Sequence, residues 1–171
     1  MKKVAVLLAF FGVFMVGCVS YTPMNMTINN DEEVYQVKGT KDEIFANVMK
    51  FASTQRMRVD SSKVIADSAT GIIAFSTGSF ITNPNFGGWQ IFASYSVSVE
   101  CKNGKIRVTV RNPMYEYSNA ANSQPLQSLP YASGSDVEAK KNVALYNDEL
   151  NKCVAKTKKD LVESLNKSVS F

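Results

Sequence analysis

Residues 95–111, Tyr-Ser-Val-Ser-Val-Glu-Cys-Lys-Asn-Gly-Lys-Ile-Arg-Val-Thr-Val-Arg, constrain this chain more than any other stretch. Two alternating runs flank Asn103-Gly104, and both turn residues tolerate the positive φ that a two-residue hairpin loop demands. Closing that loop sets the register: Cys101 opposite Ile106, Val99 opposite Val108, Val97 opposite Val110. These six share one face, and Ser96, Ser98, Glu100, Arg107, Thr109 and Arg111 share the other. A slip of one residue would turn every apolar side chain into water. The chain is therefore built around an antiparallel sheet with one buried and one wetted face.

The remaining elements follow in order. Glu33 to Val37 reads as a short strand ending at Lys38-Gly39. Thr40-Lys41-Asp42-Glu43 is a capping box, and Ile44, Phe45, Val48, Phe51 and Ala52 recur at helical spacing, which predicts a helix from about Lys41 to Gln55. Lys63–Ser68 and Ile72–Gly78 flank Ala69-Thr70-Gly71 as a second hairpin, with the core-facing set of the latter strand undecided by pattern. Ser79–Gly88 reads as a loop, and Trp89 opens the strand that enters the central hairpin. Asn112-Pro113 is expected to end that hairpin, because proline cannot donate to a ladder. A long irregular loop over 113–134 follows. Ser135-Asp136-Val137-Glu138 is a second capping box, opening a helix to about Asn166. Its apolar stripe is Val143, Tyr146, Leu150, Cys153, Val154, Thr157, Leu161 and Leu165; Lys140, Lys141, Lys152, Lys156, Lys158 and Lys159 read as its solvated side. The fold class is α+β: a five-stranded antiparallel sheet, β-α-β-β-β-β-α, with two helices on one face.

The amino end carries an address. Lys2-Lys3 precede the apolar run Val4–Val16, whose 13 residues rise about 20 Å as a helix, short of the ~30 Å hydrocarbon core. The run suits the apolar region of a cleavable leader. Met15-Val16-Gly17-Cys18 resembles a bacterial lipobox, which implies a signal peptide over 1–17 and lipidation of Cys18 by a diacylglyceryl thioether and an N-acyl (palmitate-type) chain. Several chains at ~0.8 kcal/mol per buried CH₂ would hold such a protein on a membrane. Val19 in place of Asp after Cys18 favours, by analogy, the outer membrane. Residues 19–32 lack either periodicity and read as a tether following the anchor, about 20 Å long on average as a coil. The domain is then placed at 33–168.

The part from Tyr35 to Arg111 resembles a family of domains of unknown function with a TATA-binding-protein-like (TBP-like) fold, found in lipoproteins of Gram-negative bacteria. The resemblance rests on Gly39-Thr40-Lys41-Asp42-Glu43-Ile44-Phe45, on Val64-Ile65-Ala66-Asp67-Ser68 with Gly71-Ile72-Ile73, and on Val99-Glu100-Cys101-Lys102-Asn103-Gly104-Lys105. It implies the fold and a periplasm-facing location, and supplies no catalytic residues. The fold's name says nothing of DNA for an exported protein.

The chemistry legible in the sequence is sparse. There is no histidine among the 171 residues, which removes the commonest metal ligand and the usual general base near neutral pH. With Lys2 and Lys3 in the leader, 17 of the 19 basic residues remain against 15 acidic ones, a balance that argues against nucleic acid as a partner. No phosphate loop, nucleophile elbow or metal spacing occurs, so no catalytic residue, metal or cofactor is assigned. Cys101 and Cys153 allow two readings. If helix two starts level with Asn112 and runs back over the apolar face, the thiols come out level, and a disulfide closing about 50 residues would add about 4 kcal/mol. The alternative is two reduced, buried thiols. Phe80, Phe86, Trp89, Tyr115, Tyr117 and Tyr131 would gather at one rim of the sheet. They suit a peptide, glycan or protein contact there, or simply pin two loops. Three functional classes stay open. One is a non-enzymatic interaction or structural module held on the envelope through Cys18, with an envelope protein or glycan as partner. The others are a glycan- or peptide-directed enzyme using carboxylates in a loop cleft, and a subunit of an envelope assembly.

Overall fold

The computed structural model describes residues 20–23, 27–55, 64–81, 89–119, 127–128, 131–134 and 136–167. In chain order these form β1 (Ser20–Pro23), β2 (Glu32–Gln36), α1 (Lys41–Thr54), β3 (Ile65–Asp67), β4 (Ile72–Ile81), β5 (Trp89–Lys102), β6 (Lys105–Asn119), β7 (Gln127–Ser128), β8 (Tyr131–Gly134) and α2 (Asp136–Lys167). The main sheet has the order β2-β6-β5-β4-β3, antiparallel throughout. β7 adds a short pairing to the far end of β6, and β1 pairs with β8 in a separate two-stranded sheet.

The central hairpin has the register its turn dictates: Cys101↔Ile106, Val99↔Val108 and Val97↔Val110. All six side chains are at most 1% exposed. A one-residue slip would forfeit on the order of 10 kcal/mol of burial, comparable to the whole stability of a domain this size. On β4 the core-facing set is Ile73, Phe75 and Thr77. Both helices lie over this face. Ile44, Val48 and Ala52 of α1 and Tyr146, Leu150, Val154, Leu161 and Leu165 of α2 join the strands in one hydrophobic core. Among the described residues no helix lies on the opposite sheet face, where Ile65, Ile72, Phe80 and Met114 are exposed.

The motifs that carry the family resemblance converge on one corner. Thr40 accepts from the Glu43 N–H and the Glu43 carboxylate accepts from the Thr40 N–H, so the capping box of α1 is complete. Asn103 Oδ1 accepts from the Lys41 N–H at 2.7 Å, which ties the hairpin turn to the helix N-terminus. Lys41 Nζ donates to the Ala69 carbonyl at 2.8 Å, and the Cys101 N–H donates to the Gly71 carbonyl at 2.8 Å. Gly71 has φ +77°, and a Cβ there would lie 2.8 Å from the Cys101 carbonyl oxygen. These residues hold turns and a cap to one another, so this corner is architectural.

Three expectations are corrected. Asn112-Pro113 does not end β6, which continues to Asn119. Ser94 pairs with Met114 and Ser96 with Arg111, so Tyr95 alone faces both Asn112 and Pro113 in a β-bulge. Asn112 takes φ +52°, and a bulge leaves one residue unpaired, so a proline that lacks an N–H is tolerated there. Nor does the segment before β2 behave as a free tether. Ser20–Pro23 pairs with Tyr131–Gly134, and Ile28 packs against the core. The domain therefore begins before residue 33. Within 113–134, residues 113–119, 127–128 and 131–134 are strand rather than loop. Cys18 and the leader lie outside the described residues.

Candidate functional site

The proposed aromatic rim is distributed differently by the strands. Phe80, near the end of β4, is 42% exposed and its ring lies 5.1 Å from that of Phe92. In register, Phe80 faces Phe92, which faces Glu116. Tyr115 and Tyr117 are strand residues opposite Ala93 and Ile91, one step out of phase with that row, and Trp89 is opposite Asn119. Tyr131 belongs to the small sheet, opposite Pro23. Phe86 lies outside the described residues. Five of the six rings thus fall on three different strands of the main sheet and one of the small sheet.

Cys101 and Cys153 are both free thiols. The assumption that misaligned them is the end of β6. Because β5 and β6 run on beyond the bulge, α2 starts about 20 Å farther out than a strand ending at Asn112 implies. Cys153 is consequently level with Tyr95, whose hydroxyl donates to the Cys153 carbonyl at 3.1 Å and pairs with Thr157 Oγ1 at 2.7 Å. Six residues of β5, about 20 Å, separate Tyr95 from Cys101. Burial pushes the Cys101 thiol up to about 11, the Lys41 charge opposing, and also raises Cys153. Neither is an activated nucleophile. Among the described residues, no three acidic or cysteine side chains are grouped to hold a metal ion.

The side chains that do converge lie between the start of the domain and α2. Asn147, Asn151 and Lys158 stand four and seven residues apart, one stripe of the helix. Asn147 Oδ1 accepts from the Thr27 N–H at 3.2 Å. Asn151 Oδ1 accepts from the Asn29 N–H at 2.7 Å, while its Nδ2 donates to the Thr27 carbonyl at 3.0 Å. Lys158, only 4% exposed, donates from Nζ to the Asn30 carbonyl and lies 3.6 Å from Glu33 Oε2. The Tyr35 hydroxyl donates to that same carboxylate oxygen. Burial raises the Tyr35 phenol far above its ordinary range, and Glu33 adds to the shift, so it stays a neutral donor. Among the described side chains of the lysine face, Lys158 is thus the one that turns inward, because Glu33 and a backbone carbonyl replace its water.

Beyond Asn30 the chain leaves the helix. Asn30 takes φ +53°, and the strand turns toward β6, where the Asp31 carbonyl accepts from the Val110 N–H at 2.7 Å. A groove of about 410 Å³ opens between the diverging elements, within the range of small-ligand and peptide sites. Asn29, Asn30, Glu33 and Tyr35 form its strand wall; Asn151, Val154, Ala155, Lys158, Lys159, Val162 and Glu163 form its helix wall. The Glu33–Lys158 and Lys159–Glu163 pairs balance its formal charges. Sequence reasoning passed over this site. Its signal was the polar stripe Asn147–Asn151–Lys158, set among lysines that read as solvent-facing.

Comparison with known proteins bears on the fold. Residues 31–116 match the family model described as a domain of unknown function (DUF4468) with TBP-like fold. Among solved structures, the chain is similar to a TBP-like protein from Parabacteroides distasonis, with a TM-score of 0.60 and 16% identity over 81% of this chain and 96% of that one. It is also similar to a DUF4468 family protein from Bacteroides ovatus, with a TM-score of 0.51 and 15% identity over 86% of this chain and 91% of that one. No curated protein matches. The matched span covers both hairpins, α1 and the first strand of the main sheet, and on that match the chain belongs to the DUF4468 family of TBP-like domains.

Proposed function

We propose that this protein is a non-enzymatic interaction module of the bacterial cell envelope, held to a membrane through lipidated Cys18, and that it engages a partner in the groove between β2 and α2. The observation that carries the reading is that groove: about 410 Å³, lined by amides and short apolar side chains, with two acidic and two basic side chains whose formal charges cancel. Such a lining recognises neutral polar surface and offers no side chain poised for bond-breaking. The leader and the lipobox-like Met15-Val16-Gly17-Cys18 supply the address, and Val19 favours the outer membrane of a Gram-negative bacterium. The partner class is an envelope protein or glycan; neither a cofactor nor a nucleic acid is invoked.

Metabolic labelling tests the address. Cells of the source organism are fed an alkynyl palmitate, and the mature protein is followed by labelling and fractionation. The expected result is label on the wild type, none on Cys18→Ala, and release of that variant from the membrane fraction. Unlabelled protein in the aqueous fraction, with residues 1–17 still attached, would overturn the anchor.

A further inference from the structure

The edge of the sheet beside the groove has a defined hydrogen-bonding pattern. β2 is the terminal strand of the main sheet, and among the described residues nothing pairs with its outer side. The Asp31 carbonyl bonds to the Val110 N–H at 2.7 Å, and the Val37 N–H to the Gly104 carbonyl at 3.0 Å. In an antiparallel pair, residues alternate between facing the partner and facing away. The odd residues from 31 to 37 therefore face β6, and the N–H and C=O groups of Glu32, Val34 and Gln36 point outward. Glu33 and Tyr35, facing Val108 and Ile106 in register, line the groove instead. A free strand edge thus runs along the mouth of a pocket whose other wall is a helix.

The same helix already holds main chain from outside its own element, at the irregular segment Thr27–Ile28 that leads into the turn at Asn29. Asn151 binds the carbonyl of Thr27 and the N–H of Asn29, the two groups that a neighbouring strand would take from residues i and i+2. Resting on the interaction-module reading above, we infer that the groove takes an uncharged, extended peptide segment of a partner protein, added as a strand to the open edge of β2. Main-chain bonds to Glu32, Val34 and Gln36 supply affinity, as in other strand-addition sites. Alternate side chains of the peptide enter the wedge against Val154, Ala155 and Val162. The groove's charged side chains, Glu33 and Glu163 against Lys158 and Lys159, sum to no net charge and so give no net attraction to an acidic or a basic peptide. That balance sets the preference for neutral residues.

The experiment uses the full chain purified in detergent and two libraries of N-acetylated, C-amidated decapeptides. One is built from Ser, Thr, Asn, Gln, Ala and Val; the other also contains Asp, Glu, Lys and Arg. Binders are expected from the neutral set, with slowed amide exchange at Glu32, Val34 and Gln36. Val34→Pro removes an outward N–H without touching the bonds to β6, and Ala155→Phe fills the exposed side of the wedge. Each should weaken binding about tenfold or more while far-UV circular dichroism stays unchanged. If Val34→Pro disturbs the fold, Ala155→Phe and the exchange pattern decide. Neutral peptides that bind no tighter than about 1 mM, binders indifferent to Ala155→Phe, protection confined to the uncovered sheet face, or preference for the charged library would each overturn the inference. A partner captured at the groove in cells, with no peptide adding to β2, would leave the interaction module standing and remove strand addition alone.

Discussion

The most informative perturbation is the cation that fastens α2 to the start of β2. Lys158 is 4% exposed, donates to the Asn30 carbonyl and sits 3.6 Å from Glu33, whose side chain is 35% exposed. At an effective dielectric near 20, two unit charges at that distance attract by about 4–5 kcal/mol, and hydration of the half-open Glu33 reduces this to about 1–2. Lys158→Met keeps the apolar stem in place and removes the head. The Asn30 carbonyl then loses a charged donor, so the substitution should destabilise by about 2–3 kcal/mol. Glu33→Gln still accepts from Tyr35 but leaves the buried ammonium with a neutral partner, for about 1–2 kcal/mol. In the double variant the unpaired charge is gone, so the loss should fall short of the sum by about 1 kcal/mol. Urea denaturation at neutral pH, followed by circular dichroism for all four proteins, reads these differences. A Lys158→Met midpoint equal to wild type, or strictly additive losses, would refute the claim that this pair is a coupled clamp.

Three further predictions rest on other parts of the fold. Tyr95 is raised by burial to about 12 and Cys101 to about 11, both in their neutral forms, so each contributes stability that is complete below its unfolded value and lost as pH climbs through the folded one. The urea midpoint should fall between about pH 9 and 12, and Cys101→Ala should flatten the lower part of that decline; a profile identical to wild type contradicts it. At Gly78 a Cβ would lie 2.3 Å from the Ala93 carbonyl oxygen and 2.8 Å from the Phe92 ring, so Gly78→Ala should destabilise by about 2 kcal/mol or more, measured by the same assay. Cys18→Ala protein, purified from its own cells without reductant and then denatured, should titrate two thiols, those of Cys101 and Cys153. A count of zero with one intramolecular bridge is the opposing outcome.

Much of this molecule can be read from local rules where those rules act alone. The Asn103-Gly104 turn sets the pairing of the central hairpin residue by residue, because a two-residue loop leaves no freedom of register. The Thr40–Glu43 box marks the start of α1 for the same reason: cap and helix are neighbours in sequence. Pro113 misled because the rule that proline ends a strand holds for a regular ladder. Opposite Tyr95 the ladder carries an extra residue, and nothing in the local pattern announces Asn112 at positive φ. Residues 27–31 show no periodicity because, apart from Ile28, their backbone rather than an apolar face makes the contacts. Lys158 looked solvated for a related reason: its partners lie 128 and 125 positions away, in Asn30 and Glu33. The candidate site is therefore built from long-range pairings of polar groups, the class of contact that single-sequence patterns record least.

Which surface meets a partner is tested most directly by site-specific photo-crosslinking in the organism's own cells. A photoreactive residue is placed at Ala155, in the helix wall of the groove, and in a second strain at Ile65, 69% exposed at the opposite edge of the sheet. The groove reading predicts a discrete protein adduct from position 155 that Val34→Pro diminishes, and none of that mass from position 65. An adduct from position 65 with position 155 silent would contradict it.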